Sequence, residues 1–368
     1  MLSALVTGLL FLLVIFVLVL VHEWGHFVTA KRLGMRVDEF GIGFPPRLWG
    51  IRRGETEYTL NSLPIGGFVR IYGEDPTQVE DKNADRPRAF GARPYWAQAI
   101  VLVAGVVMNV LFAWALFVGV YLIGVPTAVD EAAASTNAQL IVTEILPASP
   151  LAEELAAGVT IRALEAGEDT LTDPTPSSFS EFIAVHASRD ISITYTRGDE
   201  RSTVRVTPTT GLLPDAPEQP AVGVALTLID TVAHGPVSAV REGTERTYNT
   251  LIAIFVGLSG LIAGAVTGGA DLSQVAGPVG IAGLVGDASA FGLSALLTFV
   301  AVISLNLAVI NLLPVPALDG GRLVFVAIEA ARGRALDPAW ASRVNLVGFA
   351  LLMLLMIFIT YNDIARLF

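Results

Sequence analysis

Cysteine is absent from the 368 residues. That excludes a disulfide framework and any thiolate-bound metal. A metal site here must use imidazole and carboxylate. Histidine is scarce as well, with four copies: His22, His26, His186 and His234. Charge is low: 15% of residues are charged, where a soluble domain carries roughly 25%. The balance is acidic, 23 Lys and Arg against 34 Asp and Glu, so no basic face for nucleic acid is in view. A hydrophobic fraction of 53% and a mean hydropathy of +0.63 indicate a polytopic α-helical membrane protein with a water-exposed part.

What the chain has in abundance is apolar runs. A helix needs about 20 mostly apolar residues to cross the hydrocarbon core. Leu2–Val21, Trp96–Ile123, Leu293–Leu313 and Val344–Tyr361 meet that requirement. The first is a poor signal peptide: no basic region precedes it, it is long, and no small-residue cleavage site follows. Thr250–Val266 is apolar enough to be a fifth candidate.

His22-Glu23-Trp24-Gly25-His26 follows the first run directly. On a helix, positions i and i+4 share a face, about 5–6 Å apart at Cβ. Two neutral imidazoles so placed can bind one Zn²⁺, leaving Glu23 as a general base. The plainer alternative is a helix end whose polar residues face headgroup water. Three ionisable residues in five, in metal-ligand order beside a span, are costly and point to function.

Catalytic zinc usually has three protein ligands and a water. Asp319 is the candidate third, in Asn311-Leu312-Leu313-Pro314-Val315-Pro316-Ala317-Leu318-Asp319-Gly320-Gly321. Pro314 and Pro316 disfavour helix, and irregular backbone at membrane depth is tolerated only inside protein or beside a wet cavity. An extended pocket lining, ending in a carboxylate and a flexible double glycine, is expected. A helix stop with a solvated Asp cap is the alternative.

Loop charge sets the orientation. Residues 27–95 hold 11 Lys and Arg, whereas 124–246 hold 7 Arg and no Lys, with 18 Asp and Glu. The positive-inside rule puts the first loop in the cytoplasm. The N-terminus and the long acidic domain then lie outside.

The two zinc motifs together resemble the site-2 protease family of intramembrane zinc metalloproteases, in an RseP-like layout. Asn61-Ser62-Leu63-Pro64-Ile65-Gly66-Gly67-Phe68-Val69 is similar to the family's membrane-associated β-hairpin. Ala104-Gly105-Val106-Val107-Met108-Asn109 is similar to its second-span motif, with Val106 where proline is usual. Gly277-Pro278-Val279-Gly280-Ile281 resembles the run before its third span. The central domain looks like a single PDZ domain: Pro147-Ala148-Ser149-Pro150 fits, and Gly158-Val159-Thr160-Ile161 departs from the usual Gly-Asp-x-Ile.

That resemblance implies four transmembrane helices, a membrane-associated β-hairpin and an inserted extracytoplasmic PDZ-like α+β domain. The expected order starts with the first span and zinc motif at 1–26 and a cytoplasmic loop with the hairpin at 27–95. The second span (96–123) and the PDZ-like domain (127–234) follow. An amphipathic or re-entrant linker occupies 235–291, and the third span with the Asp motif 292–321. A cytoplasmic loop (322–343) and the fourth span and tail (344–368) complete the chain. His22, His26 and Asp319 must meet at one membrane face, so Thr250–Val266 is expected not to cross fully, packing through Gly257, Gly260 and Gly264. In the PDZ-like domain Leu140–Leu146, Asp190–Thr196 and Ser202–Val206 read as strands, Glu153–Ala157 and Ser178–Ala187 as helices.

The implied activity is zinc-dependent hydrolysis of transmembrane segments at the inner face of a bacterial cytoplasmic membrane. One Zn²⁺ is held by His22, His26 and Asp319, with Glu23 as base. Asn109 would orient the carbonyl or stabilise an oxyanion, or else bond between helices. Asn311 and Asn306 would bind unwound substrate backbone. The hairpin, with Gly66 and Gly67, would hold substrate as an added strand. Substrates would be single-pass membrane proteins, either anti-sigma factors or signal-peptide remnants. The PDZ-like domain would bind a peptide, exclude by size, or act as a spacer. A catalytically inactive scaffold and a metal transporter are the competing classes. The intact Glu23 opposes the first, and the near absence of polar residues from the second and fourth spans opposes the other.

Overall fold

The structure is a computed structural model that describes residues 4–74, 85–187, 189–198, 200–212, 216–268 and 275–366; the side chains of 64, 65 and 266 are not described. Met1–Ser3 of the first expected span and Asp75–Ala84 of the first loop therefore lie outside it. The chain forms two compact units. Unit 1 comprises Met1–Val120 and Val237–Phe368, and unit 2 comprises Tyr121–Pro236.

Unit 1 is helical with one sheet. Helix α1 (Ala4–Arg32) is followed by β1 (Val37–Arg53), β2 (Thr56–Ile71) and α2 (Tyr95–Ile123). After unit 2 come α4 (Pro236–Thr267), α5 (Pro278–Ala290), α6 (Leu293–Leu312), α7 (Asp319–Arg332) and α8 (Pro338–Ala365). Among the described residues, α1, α2, α4, α6 and α8 are long and apolar enough to cross a membrane. Of these α4 has the lowest mean hydropathy, 1.7 against 2.3 to 3.2.

Helices in a bilayer gain no hydrophobic energy from each other and associate through close packing. Gly25 of α1 illustrates this: a Cβ there would lie 2.5 Å from the Ala104 carbonyl of α2. Leu10, Val14 and Leu18 of α1 cluster with Phe112 and Leu116 of α2 and with Leu296, Val300 and Ile303 of α6. Thr7, near the start of α1, abuts Gly286 of α5, just before α6 begins. Helices α1 and α6 thus run the same way, and α2 runs against them. Helix α8 also runs against them. Gly348, in its first half, packs on Pro316, while the buried Asp363 near its end accepts from Gly277 N–H (3.1 Å) and Gly280 N–H (2.8 Å) at the start of α5.

Helix α4 packs differently from the sequence expectation. A Cβ at Gly257 or Gly260 would meet nothing within 4 Å. Contact runs instead through Gly243 against Val118, a Trp114 Nε1–H to Thr244 Oγ1 bond of 3.0 Å, and Leu251 and Ile254 against Ala113, Phe117 and Leu305. Small residues on the exposed half of α4 suggested an interface, but the contacts lie about one to four turns before Gly257.

Strands β1 and β2 each bend and double back. Residues 39–42 of β1 pair with 67–70 of β2 on one side and 57–60 on the other, while 47–53 pair with 56–61. Pro45-Pro46 interrupts β1, and Gly66, at φ 100°, interrupts β2. The result is four short rungs. The rung Gly67–Ile71 pairs on one side only among the described residues. Phe44, Leu48, Trp49, Ile51, Leu60 and Leu63 are exposed.

Unit 2 is a sheet of order β3-β9-β4-β5-β7-β8, with β6 on β5. Its strands are β3 (Val125–Ala128), β4 (Gln139–Ile145), β5 (Thr160–Ala166), β6 (Asp169–Thr172), β7 (Ile191–Arg197), β8 (Glu200–Val206) and β9 (Val224–Val232). Helix α3 (Pro176–Val185) starts at a Thr175–Ser178 capping box and buries Phe179 and Ile183 against Leu164, Ile191 and Ile193. Each such buried side chain contributes about 1.5–3 kcal/mol. The helix expected at Glu153–Ala157 is absent. A single turn closes there, Leu155 N–H to Leu151 O (2.9 Å), and Gly158 at φ 87° stops it. Strand β4 pairs with β9 from Gln139 to Ile145 but with β5 only at Leu140 and Ile141.

Candidate metal centre

The centre begins with helical spacing. His22 and His26 lie one turn apart on α1, both buried, with rings 4.7 Å apart. Gly105 of α2 makes room for them: a Cβ there would collide with His26 Nε2 and lie 2.6 Å from His22 Cε1. No other residue type fits at that point.

Each ring is oriented from behind. His26 Nδ1 lies 2.8 Å from the Val101 carbonyl, which can only accept, so Nδ1 carries the proton and Nε2 bears the lone pair. His22 Nδ1 lies 3.3 Å from the fully buried Asn109 amide. With Nδ2 facing the ring, Asn109 Oδ1 has no partner. The two ends of an amide are told apart only by bonding. Turning the amide lets His22 Nδ1–H donate to Oδ1 and leaves Nδ2 as a donor. Ser304 Oγ of α6 holds the Asn109 carbonyl at 2.8 Å.

The third group arrives from 297 residues away. The stretch after α6 is not extended, as the prolines suggested. It makes two tight turns, Val315 N–H to Leu313 O (2.7 Å) and Leu318 N–H to Val315 O (3.2 Å). Ala317 sits at φ 74°, a left-handed conformation that costs a non-glycine residue about 1–3 kcal/mol. Asn345 Oδ1 accepts from its N–H at 3.3 Å. Nor is the double glycine a flexible tail. Gly320 and Gly321 are buried in the first turn of α7, where side chains would strike the carbonyls of Leu312, Leu313 and Val315. This packing turns Asp319 back toward α1.

Asp319 Oδ2 lies 3.0 Å from His22 Nε2 and 3.3 Å from His26 Nε2, and the two Nε2 atoms are 3.1 Å apart. Two imidazole lone pairs and a carboxylate converging this closely repel unless a cation stands between them. Tetrahedral zinc with bonds of about 2.0–2.2 Å sets its donors roughly 3.3 Å apart. The donor set fits one such ion. It is the one group of three or more potential ligand residues among the described residues.

Glu23 is half-buried and borders two small cavities. One, about 240 Å³, is lined by Leu18, His22, Glu23, Asn109, Asn311 and Asp319 among others. The second, about 180 Å³, adds His26, Phe68, Val69, Glu74 and Arg322. A Cβ at Gly67 would lie 4.0 Å from Glu23 Cγ, and one at Gly66 would lie 3.1 Å from Val19 Cγ1, so this part of β2 runs beside α1. Asn311 therefore borders the centre. Asn306 does not, and its Nδ2 donates to Val302 O one turn back in α6 (2.9 Å). His186 and His234 belong to unit 2, where His186 meets Asp169 (3.0 Å) and His234 packs on Tyr121. Arg322, ion-paired to Glu74, was missed in the sequence. Its position one turn after Asp319 was the available signal.

A model of peptidase family M50 matches residues 10–355. A putative zinc metalloprotease of Nostoc sp. is 34% identical over 96% of this chain and 94% of its own length. One from Clostridium perfringens is 35% identical over 94% and 95%. The regulator of sigma-W protease RasP of Bacillus subtilis is 28% identical over 98% and 99%. A solved PDZ domain of an SdrC-like protein from Listeria monocytogenes is 19% identical over 25% of this chain and 92% of its own, with a TM-score of 0.21, too slight a likeness to bear on unit 2.

Proposed function

The chain belongs to peptidase family M50 as a zinc metalloendopeptidase and multi-pass membrane protein, and we propose that it cuts peptide bonds in or beside the transmembrane segments of single-pass membrane proteins. The observation that carries this reading is the meeting of His22, His26 and Asp319 beside Glu23 and the free rung of β2.

In this reading His22, His26 and Asp319 hold one zinc ion. When bound, zinc supplies a Lewis acid that brings the pKa of a water toward neutrality. Glu23 takes the attacking water's proton and returns it to the leaving amine. The Asn109 Nδ2 donor, on the same cavity wall, steadies the carbonyl oxygen, and Asn311 binds nearby substrate backbone. A helix hides its carbonyls in its own bonds, so substrate must be opened first. Adding it as a strand to Gly67–Ile71 keeps it extended, and Gly66 and Gly67 let that rung approach Glu23.

Four spans fit the reading best: α1, α2, α6 and α8. The chain leaves the end of α2 and returns to the start of α6 at the same end of the bundle, so the intervening segment makes no net crossing. Helix α4 then lies re-entrant or along the surface. With the basic first loop in the cytoplasm, the N-terminus and unit 2 face outside and the metal centre lies near the inner face of a bacterial cytoplasmic membrane. Unit 2 acts as a PDZ-like peptide module, and Thr143–Ile145 of β4 offers an open edge for strand addition. The sigma-W name of the Bacillus subtilis relative makes a membrane-anchored anti-sigma factor the first substrate to try, with signal-peptide remnants second.

The test uses the purified full chain and a single-pass model protein with an Ala-rich span, a Gly-Pro pair near its cytoplasmic end and hydrophilic tails. A zinc chelator should stop cleavage and added zinc restore it. Cleavage that survives chelation contradicts the reading.

A further inference from the structure

A third cavity, about 650 Å³, lies beside the metal centre and has no part in the chemistry above. Glu74, Phe90, Leu102 and Arg322 line both it and the smaller cavity at Glu23, His26 and Asp319. The two spaces are therefore neighbours across one wall. At that wall Arg322 is ion-paired to Glu74, and its guanidinium lies 5.7 Å from the centre of the Phe90 ring. Beyond it Phe325, Val326 and Leu336 supply apolar surface, and Gln98, Glu329 and Ser342 supply polar groups.

The free rung of β2 leads there. It starts at Gly67 beside Glu23 and runs toward the charged end of α1, where Val69 and Ile71 pack with Phe27 and Ala30. The rung ends at Ile71 in a turn closed by Glu74 N–H to Ile71 O at 3.2 Å. A chain added along the rung leaves at that turn, where Gly73 borders the large cavity. An added strand advances one residue for each of its partner, at about 3.3 Å per residue. The residue that reaches Gly73 is thus about six beyond the one opposite Gly67.

We propose that this cavity is a second substrate subsite, which receives the extended juxtamembrane stretch about six residues from the scissile bond, on the cytoplasmic side. The inference rests on the proteolytic reading above. The lining suits polypeptide: Glu74 and Arg322 neutralise each other, and both apolar and hydrogen-bonding groups are present. The volume falls within the range of about 300–1,000 Å³ usual for ligand sites.

The absence of cysteine allows a direct test. Ser342→Cys in the Glu23→Gln full chain, zinc-loaded and in a bilayer, gives one thiol in the cavity. The probe is the single-pass model protein with one cysteine walked through its cytoplasmic tail and a short bis-maleimide to join the two. Cross-linking should peak about six residues past the scissile bond, several-fold above a Ser180→Cys control on α3. In the Glu23 enzyme, Ser342→Trp should raise KM several-fold for the tailed substrate and leave a substrate truncated three residues past the bond unaffected. A flat cross-linking profile, or equal effects on both substrates, overturns the subsite while the unmodified enzyme still cleaves. Failure of the unmodified enzyme to cleave overturns both the subsite and the reading beneath it.

Discussion

At residue 105 the metal centre depends on the absence of a methyl group. Gly105→Ala would drive a Cβ into both imidazoles. We expect zinc binding about 10- to 100-fold weaker, the scale seen when the groups that orient metal ligands are disturbed. Gly257→Ala, on open surface, should leave it unchanged; metal content per chain measures both. This role was not legible in the sequence, because it depends on the distance between two helices whose contacting residues are about 80 positions apart. The candidate donors were legible, since their types and the i, i+4 spacing carry the chemistry. The strained Ala317 and the packed Gly320 and Gly321 were not. From sequence the prolines promised an extended lining, and only the packing against Leu312, Leu313 and Val315 reveals tight turns.

At the level of elements, the apolar runs read easily as helices because span length is set by bilayer thickness. The short α5 and α7 were missed for the same reason: neither has the length or hydropathy of a span. The doubled-back β1–β2 sheet was legible only as a hairpin with breaks, since register across its bends is set by long-range contact. That sheet is tied to its neighbours at Glu55, which accepts from Arg88 and Lys31 at 2.8 and 2.9 Å. Arg88 first, and then Lys31, lower its pKa from 4.5 to about 2. The ionised form is thus favoured by folding. Its stabilisation is complete above pH 4.5 and fades as pH falls toward 2. Glu55→Gln should therefore lower the thermal midpoint at pH 7, and the gap from the unaltered protein should close between pH 4.5 and 2. A gap that is constant across that range contradicts the ion-pair account.

For the whole molecule, the sequence implied a site split across the chain and a parity of crossings. Both rest on His22, His26 and Asp319 having to meet, which no hydropathy profile states. By length and composition α4 passes as a fifth span, whereas in the proposed four-span arrangement it does not cross. A reporter fused after Thr267 should signal from outside; a cytoplasmic signal contradicts the four-span arrangement. In the proposed reaction Glu23 moves the proton while His22, His26 and Asp319 hold the metal. Glu23→Gln tests it most directly. Cleavage of the model substrate should fall by about 10²–10⁴-fold, with one zinc per chain retained. Undiminished cleavage, or loss of zinc together with activity, would contradict it.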